Sequence, residues 1–374
     1  MKIKIKKELL LENLNKVSKA ISTKNLIPIL SGIKFDLTKE GLTLTASDND
    51  ITIQTFIPAD NKDMEIEKEG SIIIQGKYVL DIVRKLPDEF INIEVIDELK
   101  ILIYAENSEF NLNGINQKEY PNVALENSKN FVKINTKLFK TIINQTAFAT
   151  STDESRPILT GINIKITGDI LECSATDSYR LAKKQAKLNE IAGETYNIIV
   201  PGKNIVEFMK ILNEGNEELE IHIFSNKVLF KQNNLLFQSR LVSGNYPNVN
   251  NLIPSDSFLK ITANLSNLYD VIDRASILTS DKEKNIVTLE TNKNLLIVRS
   301  SSAEIGRVEE KMNITKDNEE EIKISFSAKY MMDALRSFEG NTVELAFEGE
   351  VKPIIIKDVE DQNLTQLVLP IRTY

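Results

Sequence analysis

The sequence RPILTGINIKITGDILECSATDSYRL occupies residues 156–181 and has the pattern of a β-hairpin. Isoleucines at 162, 164 and 166 alternate with polar residues, Gly168 and Asp169 follow, and a second apolar run extends from 170 to 175. Period-two alternation interrupted by a Gly-Asp pair is typical of two antiparallel strands joined by a tight turn. The unusual string TDSYRL follows at 176–181, where the second strand should end. The stretch therefore predicts a β-rich core with a contact site beside it.

The hairpin belongs to a unit that occurs three times. Its first half resembles the string IPILSGIKFDL at 27–37, which lies 129 residues earlier in the chain. A helix-like segment occurs as GKYVLDIVRKL at 76–86, GKNIVEFMKIL at 202–212 and AKYMMDALRSF at 328–338, and a Tyr-Pro-Asn string occurs at 120–122 and 246–248. A repeat of roughly 125 residues is far longer than a solenoid unit, so each copy should have its own core. We predict domains at 1–127, 128–255 and 256–374.

Each copy has the order strand, helix, several strands, helix, several strands. In the first copy Leu10, Leu14 and Val17 recur on one helix face, with charged residues opposite. Two helices packed on one side of antiparallel sheets in every copy predict the α+β class. The six predicted helices cover 6–22, 75–86, 136–150, 202–212, 264–280 and 327–338.

Composition limits the function classes. The chain has 374 residues, of which 41% are hydrophobic and 27% charged, as expected for a soluble protein with substantial cores. Its N-terminal segment lacks the pattern of a signal peptide, and no apolar run approaches the roughly 18 residues of a membrane span. A cytoplasmic location and no membrane partner are expected.

The residues that usually carry catalysis or metals are scarce. The one cysteine, Cys173, is expected to be a buried and inert thiol, and the one histidine, His222, a surface residue of a strand. The sequence contains no GxSxG, HExxH, P-loop or GxGxxG motif, and no pair of acids stands out. We expect no catalytic residues, no metal and no cofactor.

Charge is distributed unevenly along the chain. The net charge is −8, yet the six predicted helices sum to +7, which leaves −15 for the other residues. Lysine-rich helix faces can simply be solvated. Alternatively, helices placed on one common side would present a basic surface to phosphates, giving salt-sensitive attachment without base recognition.

Four strings in the right order give the chain a family resemblance. They are IPILSG at 27–32, RPILTG at 156–161, ATDSYRLA at 175–182 and LVLPIR at 367–372. Together with the triplicated unit, they resemble the bacterial DNA polymerase III beta subunits, the sliding clamps, over the whole chain.

The resemblance implies a fold, partners and sites. Three domains would form half a ring, and two chains would close head to tail around duplex DNA, with helices lining the hole. The polymerase III catalytic subunit, clamp-loader subunits and other clamp-binding proteins would insert a short peptide into one pocket per chain. The matching pocket residues are Leu159, Thr176, Tyr179, Arg180, Leu181, Pro247, Leu252, Tyr330, Val351, Leu367, Leu369, Pro370, Ile371 and Arg372. Arg180 and Arg372 would offer donors at its rim, and Tyr179 departs from the histidine that many members have.

Two further residue sets follow from the helix faces and the resemblance. The DNA-facing residues would be Lys24, Lys77, Lys137, Lys140, Arg156, Lys203 and Lys210. In the homodimer, Phe110 and Leu112 of one chain would meet Ile277 and Leu278 of the other.

Two rival functions remain open at this point. A hydrolase or transferase on repeated domains would need an acid pair or an activated nucleophile, which the sequence does not display. A scaffold that binds only proteins would be insensitive to changes at the helix lysines.

Overall fold

The computed structural model of the protein describes residues 1–21, 27–213, 215–254, 256–279 and 285–372. All six predicted helices form within these residues, and each is shorter than predicted. They are α1 (Lys7–Val17), α2 (Gly76–Lys85), α3 (Thr136–Asn144), α4 (Gly202–Ile211), α5 (Leu265–Ser276) and α6 (Ala328–Leu335). The prediction over 136–150 fails at its end. The Thr146 hydroxyl donates to the Ile142 carbonyl at 2.8 Å, and residues 147–149 tighten into a 3₁₀ turn.

The strands follow the three sequence repeats. The first repeat contains β1 (Lys2–Lys6), β2 (Gly32–Thr38), β3 (Gly41–Ser47), β4 (Ile51–Pro58), β5 (Met64–Lys68), β6 (Gly70–Gln75), β7 (Phe90–Asp97), β8 (Lys100–Ala105) and β9 (Ser108–Asn113). The second contains β10 (Phe131–Asn135), β11 (Gly161–Thr167), β12 (Ile170–Thr176), β13 (Arg180–Lys187), β14 (Tyr196–Pro201), β15 (Glu218–Ile223), β16 (Lys227–Gln232) and β17 (Leu235–Arg240). The third contains β18 (Leu259–Asn264), β19 (Ile286–Asn292), β20 (Leu295–Ser302), β21 (Gly306–Asn313), β22 (Thr315–Lys316), β23 (Lys323–Ser327), β24 (Thr342–Phe347), β25 (Ile354–Asp358) and β26 (Leu364–Val368).

The hairpin predicted from residues 156–181 is confirmed as β11 and β12. Thr167 pairs with Ile170, and Gly168 between them takes a φ of +62°, a conformation that a residue without Cβ adopts at little cost. The three alternating isoleucines of β11 are fully buried. Cys173 is buried opposite Ile164, and burial raises the pKa of its thiol, as expected for an inert cysteine.

One compact unit consists of residues 1–137 and 203–241. It contains a five-stranded sheet in the order β5-β1-β7-β8-β9 and an eight-stranded sheet in the order β10-β15-β16-β17-β4-β3-β2-β6. Helix α1 packs on α2 and on β3 and β4, with Leu10, Leu14 and Val17 buried as its periodicity predicts. Within the eight-stranded sheet, β17 of the second repeat pairs antiparallel with β4 of the first, from Leu235–Thr55 to Ser239–Ile51.

The other compact unit consists of residues 138–202 and 242–374. It contains a nine-stranded sheet in the order β14-β11-β12-β13-β26-β25-β24-β18-β22 and a four-stranded sheet in the order β21-β20-β19-β23. Helix α5 packs on α6, β20 and β21, and its Asn264 cap accepts the Asn267 N–H at 3.0 Å. Here β13 of the second repeat pairs with β26 of the third, from Arg180–Val368 to Lys184–Leu364.

The second repeat is divided between the two units because its strands extend sheets of both neighbouring repeats. β17 pairs with β4, whereas β13 pairs with β26. The boundaries at 127/128 and 255/256 therefore describe sequence repetition rather than compactness, and they stay a prediction.

The surface position predicted for His222 is wrong, since only 1% of the residue is exposed. Its position on the outward face of β15 is covered by the segment that leads into β10. The Ser128 N–H donates to His222 Nδ1 at 3.2 Å, and the Phe131 ring lies 5.0 Å from the imidazole. The imidazole is thus packed and hydrogen-bonded as part of the fold.

No helix in the described part of the chain is both long enough and apolar enough to span a membrane.

Candidate partner-binding groove and helix faces

A cavity of about 630 Å³ lies beside the C-terminal segment. It brings together six of the predicted pocket residues, which are Tyr179, Tyr330, Leu369, Pro370, Ile371 and Arg372. Asn285, Ser327 and Lys329 complete its lining among the described residues. The size falls within the range of ligand pockets, and the lining combines aromatic and aliphatic surface with a few polar groups. We call this cavity the groove.

The C-terminal segment is fixed at two points. The Leu369 N–H donates to the Tyr179 carbonyl at 2.9 Å, and the Ile371 N–H donates to the Ser325 carbonyl at 2.7 Å. Between them, Pro370 forms an antiparallel bridge with Phe326 of β23. Hydrogen bonds therefore hold this segment from the nine-stranded sheet to the four-stranded sheet.

A tight turn presents Tyr179 to the groove. The Asp177 carboxylate accepts the N–H groups of Tyr179 and Arg180 at 2.9 and 3.0 Å, and Ser178 has a φ of +79°. Tyr179 is 60% exposed, and its ring lies 6.4 Å from the Tyr330 ring with 23° between the planes. Burial raises the pKa of Tyr330, which keeps its phenol neutral. Two nearly parallel aromatic rings thus flank the groove.

The expectation that Arg180 offers donors at the rim needs correction. Its side chain is only 11% exposed, and each of its three nitrogens donates within the chain. Nε donates to Asp177 at 3.0 Å, one terminal nitrogen to Asp333 at 2.7 Å, and the other to the Phe148 carbonyl at 2.7 Å. Arg180 is therefore an internal cation behind the groove, and Arg372 remains as the exposed arginine of its lining.

A small apolar cluster lies where β13 and β26 meet. Leu181 and Leu367 are buried in it with Val249 and Ile355, and Leu369 packs on its edge. Tyr246 also packs there, and its hydroxyl accepts the Thr176 N–H at 3.0 Å. Burial raises the pKa of Tyr246, so its hydroxyl stays protonated. Leu181 and Leu367 therefore pack against Leu369 of the groove lining as part of one cluster, and Thr176 is linked to that cluster through Tyr246.

Eight predicted pocket residues lie outside the cavity lining, and four of them remain besides Arg180, Thr176, Leu181 and Leu367. Leu159 is half-buried in a 3₁₀ turn, and Pro247, Leu252 and Val351 are exposed. Leu252 ends a 3₁₀ turn that begins at Val249 of the apolar cluster. These residues stay predictions for a longer partner segment.

Sequence reasoning missed several residues of this site. Lys329 lies in the repeated segment 328–338 at the start of α6, and Ser327 directly precedes that segment. Tyr246 belongs to the repeated Tyr-Pro-Asn string, of which only the proline was assigned to the pocket. Phe148 and Asp333 carried no signal, because they approach Arg180 only in the folded chain.

The predicted DNA-facing lysines differ in their surroundings. Lys77 on α2 and Lys137 on α3 are exposed, and Lys140 is half-buried. Lys203 pairs with Asp50 at 2.9 Å, and Lys210 pairs with Glu207 one turn earlier on α4. Exposed ion pairs of this kind are weak, so the carboxylate would compete poorly with a DNA phosphate for the lysine.

Two DNA-facing predictions remain, Arg156 and Lys24. Arg156 is exposed and donates to the Ser178 hydroxyl at 3.2 Å, which places it beside the turn that carries Tyr179. Lys24 lies outside the described residues.

The observed helix limits also weaken the charge argument. The sum over the six helices falls from +7 to +4, because Lys6, Lys19 and Arg336 lie just beyond the helix ends. The helices remain positive against a net charge of −8, and the excess is concentrated on α2 and α3.

Each of the four sheets in the described residues has two edge strands. Two of these edge strands bear on the predicted dimer contact, namely β9 in the first repeat and β21 in the third. On β9, Phe110 is 38% exposed and Leu112 is half-buried. Ile277 is 72% exposed just after α5, and Leu278 is half-buried. A larger cavity of about 850 Å³ lies against β21, lined in part by Arg299, Arg307 and Glu309.

Comparison with known proteins decides the family. Models of the N-terminal, central and C-terminal domains of the DNA polymerase III beta subunit match residues 1–124, 133–248 and 250–372. The chain belongs to the DNA polymerase III beta subunit family. It is 43% identical to the beta sliding clamp of Bacillus subtilis and 39% identical to that of Staphylococcus aureus, with all of each chain covered.

Solved structures agree with this assignment. The Bacillus subtilis DNA polymerase sliding clamp superposes with a TM-score of 0.96 at 42% identity, and the Streptococcus pneumoniae beta chain with 0.96 at 35%, each over the whole of both chains. The predicted α+β fold of three clamp domains is confirmed. Sliding clamps confer processivity on DNA replication, and that role follows for this chain from its family.

Proposed function

We propose that two copies of this chain close into a ring around duplex DNA and tether replication proteins through the groove. The polymerase III catalytic subunit and clamp-loader subunits are the proposed partners, and the cytoplasmic nucleoid is the proposed location. The ring holds its partners on DNA topologically and catalyses no reaction.

The observation that carries the ring is a strand pairing that occurs twice within the chain. At each junction, the fourth strand of one repeat pairs with the last strand of the next, as β4 with β17 and β13 with β26. The equivalent strands still without partners are β21 of the third repeat and β9 of the first. A third junction can form only between chains. Two chains joined head to tail would pair β9 of each chain with β21 of the other, so that both of these edges are covered in both chains.

The correspondence between strands of different repeats also supports the residues predicted for the dimer contact. Phe110 of β9 corresponds to Phe237 of β17, which pairs with Ile53 of β4. Phe110 would therefore face β21 of the other protomer, near Val308. Ile277 and Leu278 follow α5, which packs on β21, so they belong to the same surface.

DNA would be held by weak contacts from the helices. Lys77, Lys137 and Lys140 lie on α2 and α3, the two most basic helices. Lysine contacts with phosphates carry no base specificity and weaken with salt. A modest positive excess is suited to a ring that must move along the duplex.

Disulfide trapping tests the proposed junction. Cysteines introduced by Phe110→Cys and Val308→Cys should form an interchain bond under mild oxidation, giving a product of twice 42.3 kDa on a non-reducing gel. The native Cys173 is buried and should not interfere. A matched variant with Ile96→Cys, in place of Phe110→Cys, should stay uncrosslinked because Ile96 lies on β7, which β8 separates from the edge strand β9. Equal crosslinking in both variants would contradict the proposed pairing.

A further inference from the structure

Arg180 makes an unusual set of contacts behind the groove. Besides its three hydrogen bonds, its guanidinium lies 4.6 Å from the Tyr330 ring centre and 5.3 Å from that of Phe148. Tyr330 and Asp333 lie three residues apart on α6, so one guanidinium contacts both from the same side. The arginine begins β13, and thus links that strand to the helix that lines the groove.

The repeat supplies an internal comparison for this arrangement. At the other junction within the chain, Ile51 begins β4 at the position of Arg180, and the Asp48 carboxylate accepts backbone N–H groups just as Asp177 does. Asn204 stands in the place of Tyr330, and its amide donates to the Ser239 hydroxyl at 2.9 Å. Strand pairing at that junction is complete without a buried cation. The fold of such a junction therefore does not require the arginine.

Energetics give the same result. Replacing a buried ion pair by packed apolar groups is often neutral or stabilising, so such a pair is weak evidence for a role in stability. A planar guanidinium that donates to carboxylates while stacking on a ring restricts the orientation of that ring. Tyr330 is one of the two aromatic residues that flank the groove, and it is only partly buried.

We propose that Arg180 is a positioning residue for partner binding, because it holds Tyr330 and α6 in the orientation that the partner peptide requires. This inference rests on the proposed role of the groove. If the correctly oriented groove were populated only about a tenth of the time without Arg180, the apparent affinity would fall about tenfold. The effect concerns the groove alone and leaves dimer closure and DNA retention unchanged.

The test measures peptide affinity in full-length variants. The probe is a fluorescein-labelled peptide of the clamp-binding segment of the same organism's polymerase III catalytic subunit, followed by fluorescence anisotropy. Arg180→Met keeps the length of the side chain and removes its charge. Asp333→Asn keeps the shape of the side chain that Arg180 contacts and weakens the Arg180–Asp333 ion pair. Arg336→Met is the matched control, since Arg336 also lies near Asp333, at 3.5 Å, but is exposed and outside the groove lining.

We expect Arg180→Met to bind the peptide about tenfold more weakly, Asp333→Asn to bind with intermediate affinity, and Arg336→Met to bind like the unmodified protein. If Arg180→Met lowers the melting temperature, the double variant Arg180→Met/Asp333→Leu removes the unpaired carboxylate. Its melting temperature should recover while the peptide affinity stays low, which a purely structural role would not produce.

Two outcomes contradict different claims. Unmodified protein that does not bind the peptide refutes the proposed role of the groove. Peptide binding by Arg180→Met or by the double variant that equals that of the unmodified protein refutes the positioning role of Arg180 and leaves the groove intact.

Discussion

Replacing Phe110 by aspartate should open the ring. Phe110 is 38% exposed in the single chain, and we propose that this surface is covered by the other protomer. With about 200 Å² for a phenylalanine side chain, roughly 75 Å² would be buried per junction. At about 25 cal/mol per Å², that surface contributes about 2 kcal/mol per junction. A closed dimer has two junctions, so Phe110→Asp should cost at least about 4 kcal/mol, or about 10³ in the dissociation constant. The cost of burying a carboxylate adds to this figure.

Sedimentation equilibrium over a range of concentrations measures this dissociation constant. The control is Phe131→Asp, because Phe131 on β10 is the same residue type and is 39% exposed, but lies outside the proposed junction. The control should remain dimeric, and the thermal unfolding of both variants should show that they are folded. A folded Phe110→Asp variant whose dimer dissociates no more readily than the control would refute the assignment of β9 to the junction.

Three further predictions concern the helices and the core. Changing Lys137, Lys140 and Lys210 together to glutamate should shorten retention on closed circular DNA while the melting temperature stays the same, and unchanged retention would exclude these lysines from contact with DNA. Tyr246→Phe leaves the Thr176 N–H without its acceptor, so the free energy of unfolding in urea should fall by about 1–2 kcal/mol; no loss would mean that water replaces the hydroxyl. The Cys173 thiol should be unreactive towards Ellman's reagent in the native protein and react fully in guanidinium, whereas a rapid native reaction would contradict its burial.

The sequence predicted the features that depend on local periodicity and repetition. The isoleucines of β11 are buried because alternation in a strand places them on one face. The three copies of the segment that begins at residues 76, 202 and 328 all form helices, and each helix begins at the first residue of its copy. Helix ends were predicted less well, since side-chain hydrogen bonds such as that of Thr146 decide them.

Long-range contacts account for what could not be predicted. The pattern around His222 indicated an exposed position, but a segment more than 90 residues earlier in the chain packs over it. Arg180 looked like a rim donor, yet its partners Phe148 and Asp333 are 32 and 153 residues away. Nothing in the local sequence of Arg180 indicates that its donors already have acceptors, because these groups come together only when the chain folds.

Retention on DNA before and after cutting the template is the most direct measurement of whether the protein encircles the duplex. The chain is assembled on a nicked circular plasmid with its clamp loader, separated from free protein, and the plasmid is then linearised at a single site. A protein that encircles DNA should stay on the circle at moderate salt and be lost from the linear DNA, because a ring slides off free ends. Equal retention on circular and linear DNA would show attachment to the duplex surface and would contradict encirclement.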